Sequence, residues 1–226
     1  MSFRRHLLKV KEGLILPEWF GESIVCWYSP KLQGVTNENL ATAPRLIDIS
    51  GKGHDMTLYG FDGVEDAVVR DTWGKSVFFD GSRYGHTVLP ALSDFTVIWK
   101  AFFKRWGDYG GLAVKKNAFD IYRTIYGGSG GEYCTEVFGG RVIGTKPNYE
   151  TEVRYLIPGN FNGEKDIIPG TIIDTEGDLY LFKGRHQHEW DNSLLNGYGQ
   201  LYNFILFNRT LRVDEINWVK KHIMRL

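Results

Sequence analysis

The feature that most constrains the fold is a series of short runs rich in β-branched and aromatic residues, separated by many of the chain's 27 glycines. Runs of this composition, bounded by turn-forming residues, are typical of β-strands. Because loops rather than helices separate most of them, they favour an antiparallel sandwich or barrel over alternating strands and helices. The predicted strands are Ser76–Phe79, Phe95–Phe103, Leu112–Lys115, Phe119–Tyr126, Thr151–Ile157, Thr171–Asp174, Leu179–Lys183 and Gln200–Phe207.

The last predicted strand indicates how its sheet is covered. Alternate side chains of a strand point to opposite faces, and in residues 201–207 both alternating sets are largely apolar. The strand is therefore expected to lie centrally in its sheet, with packed side chains on both faces. The two sets are Leu201, Asn203, Ile205 and Phe207 on one face, and Tyr202, Phe204 and Leu206 on the other.

Two segments have helical character. The segment Val213–Met224 carries an amphipathic stripe at helical spacing, formed by Val213, Ile216, Val219 and Ile223. It predicts a helix at the C-terminal end. Residues 2–12 are basic with interspersed apolar side chains, and a helix of this length is unstable alone in water. This second segment is expected to become ordered only by docking against something.

The charge balance limits the classes of partner. Lysine and arginine number 27, as do aspartate and glutamate, so the formal net charge is zero. This balance removes the positive charge on which nucleic-acid binding depends. No apolar run approaches the roughly 18 residues of a membrane span. Lys9, Lys11 and Glu12 interrupt the apolar stretch that a signal peptide needs. The sequence predicts no nucleic-acid partner, no membrane partner and no signal peptide.

The two cysteines, Cys26 and Cys134, are too few for a disulfide scaffold. Cys26 lies in the apolar run Ile24–Tyr28, where a buried free thiol is the favoured interpretation. A bridge between Cys26 and Cys134 is the alternative that the sequence leaves open.

Three stretches carry a resemblance to a known family. The first is D-I-S-G-K-G-H-D from Asp48 to Asp55, whose two glycines suit a turn with positive φ. The second joins F-D-G, in which Asp80-Gly81 is interpreted as a hairpin-type turn, to F-T-V-I-W from Phe95. The third is N-R-T-L-R-V-D-E-I from Asn208. In this order and spacing they resemble the concanavalin A-like, laminin-G-like jelly-roll domains over roughly residues 24–226.

The resemblance implies an all-β fold, a two-sheet antiparallel jelly-roll sandwich with a C-terminal helix. Family members usually place serine at the cap of that helix, whereas Arg212 stands there in this chain. Glu215 can still supply half of a capping box. Calcium is common in such domains, and Asp48, Asp55 and Asp80 are candidate oxygen donors. Stabilisation of turns is the alternative role of these aspartates, and no other cofactor is expected.

A second resemblance concerns the N-terminal region. Met1–Arg5, followed by Trp27–Leu40, resembles the opening of jelly-roll proteins encoded in tailed-phage and prophage genomes of gut bacteria. It implies that residues 1–20 anchor a domain of residues 21–226 to a virion. The residues expected to dock into another virion protein are Phe3, Arg4, Arg5, Leu7 and Leu8. Packing of Leu7 and Leu8 on the flank of the sandwich itself is the alternative.

The jelly-roll superfamily includes glucanases, whose laminarinase-like members carry E-x-D-x-x-E on one strand. The nearest approach here is E-W-D-N-S-L from Glu189, where Leu194 stands in place of the second glutamate. Retaining hydrolysis needs two carboxylates about 5–5.5 Å apart. Asp174–Asp178, the other acidic stretch, is interpreted as a turn between strands. The sequence therefore predicts a protein that is not an enzyme.

Exposed aromatic residues beside polar groups are the candidates for glycan binding. Trp106, Asp108 and Tyr109 lie in a glycine-flanked loop, and Trp190 lies between two acidic residues. Packing of these rings at the edges of the core is the alternative.

Taken with the resemblance, these features predict a non-catalytic recognition or decoration module of a phage virion, such as a fibre, spike or capsid-surface protein. Its expected partners are other virion proteins, glycans and further copies of itself in a homo-oligomer. Its expected location is the virion, assembled in the host cytoplasm. The alternatives are a free-standing bacterial carbohydrate-binding protein and a glucanase-like glycoside hydrolase.

Overall fold

The computed structural model describes most of the chain. Within the described part, two antiparallel sheets dominate and the helices are few and short, which confirms the all-β sandwich. Among these residues, no helix is long and apolar enough to cross a membrane. The described residues are 16–104, 110–115, 118–124, 132–137, 140–143, 152–158, 160–161, 164–165, 172, 176–185 and 194–226.

Sheet A is built around the long strand β18 (Tyr198–Phe207), which pairs with β7 (Thr96–Lys104) along one side. On its other side, β5 (Gly74–Asp80) pairs with the first half of β18 and β1 (Ile24–Tyr28) with the second half. In spatial order the sheet contains β14 (Glu164–Lys165), β13 (Asn160–Phe161), β12 (Glu152–Ile157), β7 (Thr96–Lys104), β18 (Tyr198–Phe207), β5 (Gly74–Asp80) and β4 (Val68–Asp71), with β1 (Ile24–Tyr28) off this path.

Sheet B faces sheet A across the core. In spatial order it contains β11 (Gly140–Ile143), β10 (Glu132–Val137), β9 (Phe119–Thr124), β8 (Gly110–Lys115), β15 (Gly177–Leu181), β6 (Tyr84–Leu89), β3 (Met56–Tyr59) and β2 (Arg45–Leu46). A separate short pair is formed by β16 (Lys183–Arg185) and β17 (Leu194–Asn196). The helices are α1 (Glu18–Ser23), α2 (Pro30–Gln33), α3 (Asn37–Thr42) and α4 (Val213–His222).

The main hydrophobic core lies between the two sheets. Phe95, Val97 and Trp99 all belong to it and are at most 1% exposed, as expected from their shared face of the strand. Facing side chains from sheet B include Leu179 and Leu181 of β15. The inner face of β7 therefore lies against sheet B.

A second apolar cluster covers the other face of sheet A. It joins Ile98 of β7 and Ile205 of β18 to the helices α1 and α4. Phe20 of α1 packs edge-on against Phe207 and Trp218, with ring centroids 5.5 and 6.0 Å apart. Sheet A is thus covered on both faces, which confirms the central position predicted for residues 201–207. In the described part of the chain, no helix contributes to a corresponding cluster on sheet B.

One detail of β18 differs from the expectation. Simple alternation places Leu201 with Ile205 and Phe207, but Leu201 packs in the inter-sheet core with Phe204 and Leu206. The pairing of β18 with β7 shifts register between Leu201 and Asn203. A bulge of this kind reverses the alternation on one side of it, and the sequence pattern carries no local sign of it.

The family motifs have structural roles in the fold. Gly51 and Gly53 adopt positive φ angles of 77° and 88°, as the turn requires. The interpretation of Asp80-Gly81 as a hairpin turn is wrong, because β5 belongs to sheet A and β6 to sheet B. The turn carries the chain from one sheet to the other, and a local turn sequence does not distinguish these two connections.

Cys26 is fully buried and makes no disulfide, which confirms the expected free thiol. Burial raises the pKa of the Cys26 thiol well above its ordinary value, and the nearby Asp48 raises it further. The thiol therefore stays protonated and packs as a small apolar group.

The third motif fixes the entry to α4 through a buried carboxylate. Glu215, 3% exposed, accepts two hydrogen bonds from the Arg209 guanidinium, at 2.9 and 2.8 Å, and one from the Arg212 N–H at 2.9 Å. The Arg212 side chain makes no cap hydrogen bond, as expected for a residue without an acceptor. Arg209 does not supply the acceptor that the capping box lacks, but its paired donors hold the Glu215 carboxylate in position to accept from the Arg212 N–H.

Glu215 is expected to make stability depend on pH. Hydrogen bonds from Arg209 hold the pKa of Glu215 below its ordinary value. Its stabilisation is therefore complete above the ordinary glutamate pKa of about 4.3 and is lost as pH falls through the lower folded value. Glu215→Gln is expected to lower the free energy of unfolding at pH 7 by about 1.5–3 kcal/mol and to flatten its decline below pH ~4. Urea denaturation across this pH range measures both effects.

The matched control is Asp214→Asn. Asp214 also contacts an arginine, Arg212, but its side chain is 71% exposed. Exposed ion pairs contribute little, so this variant is expected to match the parent. Equal losses in the two variants would contradict the structural role of Glu215.

Candidate functional site

Three neighbouring strands of sheet B place ring-bearing side chains on the face that points away from the core. Tyr59 of β3 lies opposite Tyr84 of β6, and His86 of β6 lies opposite Tyr180 of β15. The residues between them along each strand are buried, as strand alternation requires. We call Tyr59, Tyr84, His86, Asp178, Tyr180 and Lys183 the outer-face cluster.

The rings of the cluster contact one another. Tyr59 and Tyr84 stack with centroids 4.8 Å apart and an interplanar angle of 10°, and His86 stacks on Tyr180 at 4.7 Å and 30°. The two pairs are joined by the contacts of Tyr84 with Tyr180 at 6.2 Å and of Tyr59 with His86 at 6.4 Å. Four rings from three strands therefore form one continuous aromatic surface.

Gly85 allows the strands to approach closely beneath this surface. Its position faces the core, between Tyr84 and His86 in the sequence. A Cβ there would lie 2.4 Å from Met56 Sδ and 3.0 Å from Met56 Cγ. The absence of a side chain lets β3 pack against β6 with Met56 filling the space, and the outward neighbours of Gly85 are brought beside Tyr59.

Charged groups frame the rings. The Asp178 carboxylate lies 2.8 Å from His86 Nε2, and the two side chains are 44% and 24% exposed. Because a carboxylate only accepts hydrogen bonds, Nε2 carries the proton. The Lys183 ammonium lies 3.8 Å from the Tyr84 ring centroid and 5.8 Å from that of Tyr180. The cluster therefore presents a carboxylate, an imidazole and an ammonium beside its rings.

The rings differ in what they offer a ligand. Tyr84 is enclosed between Tyr59 on one side and Lys183 on the other. Tyr59 is 42% exposed and provides the most open ring of the cluster. Burial raises the pKa of the Tyr180 hydroxyl, and the charge of Asp178 raises it further. The hydroxyl therefore remains a hydrogen-bond donor at neutral pH.

The row of directly opposed residues that contains His86 and Tyr180 continues across sheet B to two acidic residues. Val114 of β8 lies opposite Tyr180, and Asp120 of β9 lies opposite Val114. Glu136 of β10 lies opposite Asp120 in turn. Since neighbouring strands are about 4.7–4.9 Å apart, the backbone of Asp120 lies roughly 10 Å from that of Tyr180. Asp120 is 7% exposed.

The residues that the sequence proposed for binding and anchoring lie outside the described residues. Trp106, Asp108, Tyr109 and Trp190, named as glycan candidates, are among them, as is the stretch containing Glu189. The docking residues Phe3, Arg4, Arg5, Leu7 and Leu8 also lie outside. Their roles stay predictions.

The three calcium candidates lie within the described residues and act as hydrogen-bond acceptors in turns. Asp48 Oδ1 accepts from the N–H groups of Trp27 and Ser50, at 2.9 and 3.0 Å, and Oδ2 accepts from His54. Asp55 Oδ1 accepts from the Asp48 N–H at 2.8 Å. Backbone donors thus already engage these carboxylates.

Asp80 has a similar role at the turn between the sheets. Its Oδ1 accepts from the N–H and hydroxyl groups of Ser82, at 2.9 and 2.7 Å, and from the Arg83 N–H at 3.2 Å. In the described part of the chain, no three His, Cys, Asp or Glu residues come together in a group that could hold a metal ion. The hydrogen bonds show that the three aspartates stabilise turns, and calcium binding by them stays a prediction.

The outer-face cluster was missed by the sequence analysis for identifiable reasons. The sequence predicts aromatic binding residues in a glycine-flanked loop, whereas the rings of this cluster lie on strands. Asp178 was assigned to a turn, but it lies within β15. The available signal was alternation, because Tyr84 and His86 occupy the outward positions of one strand and Asp178 and Tyr180 those of another. The contact between these strands joins residues 92 positions apart.

The sequence matches no known protein-family model and shows no significant similarity to a curated protein. Solved structures share its fold. A sialidase from Trypanosoma rangeli in complex with sialic acid superposes with a TM-score of 0.58 and 11% identity, over 98% of this chain and 37% of the sialidase chain. This chain therefore spans little more than a third of the sialidase.

Two further structures are similar. Domain 4 of AbnA, an extracellular arabinanase from Geobacillus stearothermophilus, in complex with arabinotriose, superposes with a TM-score of 0.52 and 14% identity, over 87% of this chain and 98% of that domain. A GH54 α-L-arabinofuranosidase gives a TM-score of 0.52 and 16% identity, over 80% of this chain and 50% of that one. These likenesses show a β-sandwich fold shared with proteins that bind or cleave glycans.

The comparisons correct the prediction that the chain is not an enzyme. That prediction depended on one missing glucanase motif, in which Leu194 stands in place of a glutamate. The proteins that share the fold include a sialidase and an arabinofuranosidase. The prediction is therefore wrong as an inference from the sequence, because proteins that share the fold include glycosidases and the loss of one motif does not decide against hydrolysis.

Proposed function

We propose that this chain is a glycan-binding β-sandwich and that the outer-face cluster of sheet B is its binding surface. The observation that carries the proposal is the continuous surface of four rings framed by Asp178 and Lys183. The fold shared with domain 4 of the arabinanase, which was solved with arabinotriose, supports it. So does the position of α1 and α4 on sheet A, since within the described residues no helix packs on the outer-face cluster of sheet B.

The chemistry of the cluster suits a saccharide. The C–H faces of a sugar ring pack on aromatic rings, and Tyr59 offers the most open ring. Sugar hydroxyls both donate and accept hydrogen bonds. Asp178 can accept from them, whereas Lys183 and the Tyr180 hydroxyl can donate to them. A few fixed polar groups beside an apolar surface are what gives a binding site its orientation and specificity.

A glycan array and calorimetry test the proposal. The array should carry arabinan, xylan and β-glucan fragments together with sialylated glycans, and the full chain should bind at least one class. Calorimetry with that oligosaccharide then gives the affinity. An array with no binding to any saccharide, using a chain shown to be folded by circular dichroism, would contradict the proposal.

Glycoside hydrolysis is a second candidate function, favoured by a specific observation. Asp120 and Glu136 occupy directly opposed positions on neighbouring strands of the sheet that carries the cluster. Directly opposed residues have Cβ atoms about 4.5–5.5 Å apart. Retaining glycosidases use two carboxylates about 5–5.5 Å apart, and acidic residues at directly opposed positions are candidates for such a pair. The pair could therefore supply a nucleophile and an acid/base group.

Release of reducing sugars from arabinan, xylan and laminarin, and of sialic acid from sialyllactose, measures this activity. If the pair is catalytic, Asp120→Asn is expected to lower the rate by at least a hundredfold, since each carboxylate is required in one step of hydrolysis. Asp214→Asn, which changes an exposed carboxylate on α4, is the matched control. Turnover that survives Asp120→Asn would exclude this pair.

The association with a phage virion is a further part of the proposal. It is supported by the resemblance of Met1–Arg5 and Trp27–Leu40 to virion-anchored jelly-roll proteins. Residues 1–20 would dock the domain onto other virion proteins, and the domain would form a homo-oligomer on the particle. Glycan binding does not depend on this location.

Deletion of residues 2–12 tests the anchor. The melting temperature of the isolated chain is expected to remain unchanged, whereas incorporation into particles, measured by mass spectrometry of purified virions, is expected to be lost. A melting temperature lowered by several degrees would instead show that Leu7 and Leu8 pack on the sandwich, and the anchor would be discarded.

A further inference from the structure

A pocket on the outer side of sheet A lies apart from the site proposed above. It is bounded by α2, by the turn between β4 and β5, and by the centres of β7 and β18. Residues from the C-terminal end close one side of it. The residues that give it its chemistry are Lys31, Trp73, Lys75, Lys100 and Tyr202.

The pocket holds one large exposed ring in a fixed position. Trp73 is 52% exposed, an unusual exposure for the largest apolar side chain. Its turn is fixed by Asp71 Oδ1, which accepts from the N–H groups of Trp73 and Gly74 at 2.8 and 3.2 Å. Gly74 has a φ angle of 125°, which favours glycine. The indole is therefore held outward by the backbone of the turn.

Three lysine side chains line the pocket together with this ring. The Lys100 Nζ lies 5.7 Å from the Trp73 ring centroid and 5.3 Å from that of Tyr202, and it donates to the Trp73 carbonyl at 2.6 Å. The Lys75 Nζ donates to the Val35 carbonyl at 2.8 Å. Each ammonium has three protons to donate, so these bonds leave donors for a ligand. Lys31 contributes the third ammonium at the rim.

Among the described side chains that line the pocket, three are lysines and none is an aspartate or glutamate. Asp71 lies in the adjoining turn, and its oxygens already accept from two N–H groups and from the Tyr202 hydroxyl. Burial lowers the pKa of Lys100, and the like charge of Lys31 lowers it further, while Asp71 acts in the opposite direction. Burial and the charge of Arg70 lower the pKa of Lys75. A bound anion would relieve this repulsion.

We propose that this pocket binds an acidic sugar residue, with the sugar ring packed on Trp73 and its acid group contacting Lys31, Lys75 and Lys100. The indole of Trp73 lies beside a cluster of lysines. This arrangement suits a ligand in which an apolar ring face is joined to one negatively charged group. The acid group is a carboxylate or a sulfate, since lysine ammoniums act as point charges that attract either. This site lies on the other sheet from the outer-face cluster and does not depend on it.

Calorimetry with trigalacturonate tests the proposal, with a sulfated chondroitin disaccharide, galactotriose and a hexaglutamate peptide as comparison ligands. One or both acidic saccharides are expected to bind, and the tighter of the two identifies the acid group. Galactotriose and the peptide are expected to bind at least tenfold more weakly. Raising the salt concentration should weaken binding, because partly exposed charges are screened.

Variants distinguish a specific binding site from nonspecific electrostatic attraction between lysines and an anionic ligand. Trp73→Ala and Lys31→Ala are each expected to weaken binding of the acidic saccharide at least tenfold, whereas Trp73→Phe should restore part of it. Val213→Ala, an exposed apolar position on α4, is the control and should leave the affinity unchanged. Melting temperatures confirm that each variant is folded. Failure of both acidic saccharides to bind, equal binding of hexaglutamate, or an unchanged affinity in Trp73→Ala would each overturn the proposal.

Discussion

Replacing Trp99 by alanine is expected to lower the free energy of unfolding by about 3–5 kcal/mol. Trp99 is 1% exposed and lies in the inter-sheet core, on the strand of sheet A that pairs with both β12 and β18. Removing its side chain leaves a cavity between two sheets whose backbones are held by hydrogen bonds, so the site collapses only in part. Urea denaturation followed by circular dichroism measures the loss.

The control for this variant is Trp73→Ala. The same side chain is removed, but from a position that is 52% exposed, so little buried apolar surface is lost. Its free energy of unfolding should fall much less than that of Trp99→Ala. Equal losses in the two variants would contradict the assignment of Trp99 to the core, as would a far-ultraviolet spectrum dominated by helix.

Tyr180→Ala is expected to weaken glycan binding by about one to two orders of magnitude. The substitution removes the ring that stacks on His86 and contacts Tyr84, together with a hydroxyl that donates hydrogen bonds. This loss of affinity corresponds to about 1.4–2.8 kcal/mol of binding free energy, since each tenfold change in affinity is about 1.4 kcal/mol. Calorimetry with the oligosaccharide selected on the array measures it.

Tyr180→Phe is the matched variant, because it keeps the ring and removes only the hydroxyl. Its affinity should lie between those of the parent and Tyr180→Ala if both parts of the side chain contact the glycan. Melting temperatures are compared first, since Tyr180 is a half-buried residue of β15. A folded Tyr180→Ala chain with the parent's affinity would remove the cluster from the binding surface.

The sequence predicted the parts of the fold that are encoded in local patterns. Phe95–Phe103 and Gln200–Phe207 are largely apolar runs, and the structure places β7 and β18 within one residue and two residues of these bounds. The helix predicted over Val213–Met224 is observed over Val213–His222. Such segments bury both faces or a full stripe, so hydrophobic periodicity alone reveals them.

The candidate site could not be predicted in the same way because it depends on which strands pair. Tyr59, His86 and Tyr180 are distant in the sequence and meet through the registers of β3, β6 and β15. Each strand has a short outward set of two or three residues, which carries no distinctive motif by itself. The hairpin prediction for Asp80-Gly81 was wrong for a related reason. Whether this turn joins two paired strands or connects the two sheets depends on which strands pair, and not on the residues of the turn.

Glycan binding by the outer face of sheet B is tested most directly by locating the bound glycan by NMR. Backbone amide shifts of the isotopically labelled chain are recorded during titration with the oligosaccharide selected on the array. We expect the largest shifts at outward positions of β3, β6 and β15, including Tyr59, His86 and Tyr180. Shifts confined to other segments, with these three strands unchanged at saturation, would contradict the claim that the outer face of sheet B binds glycans.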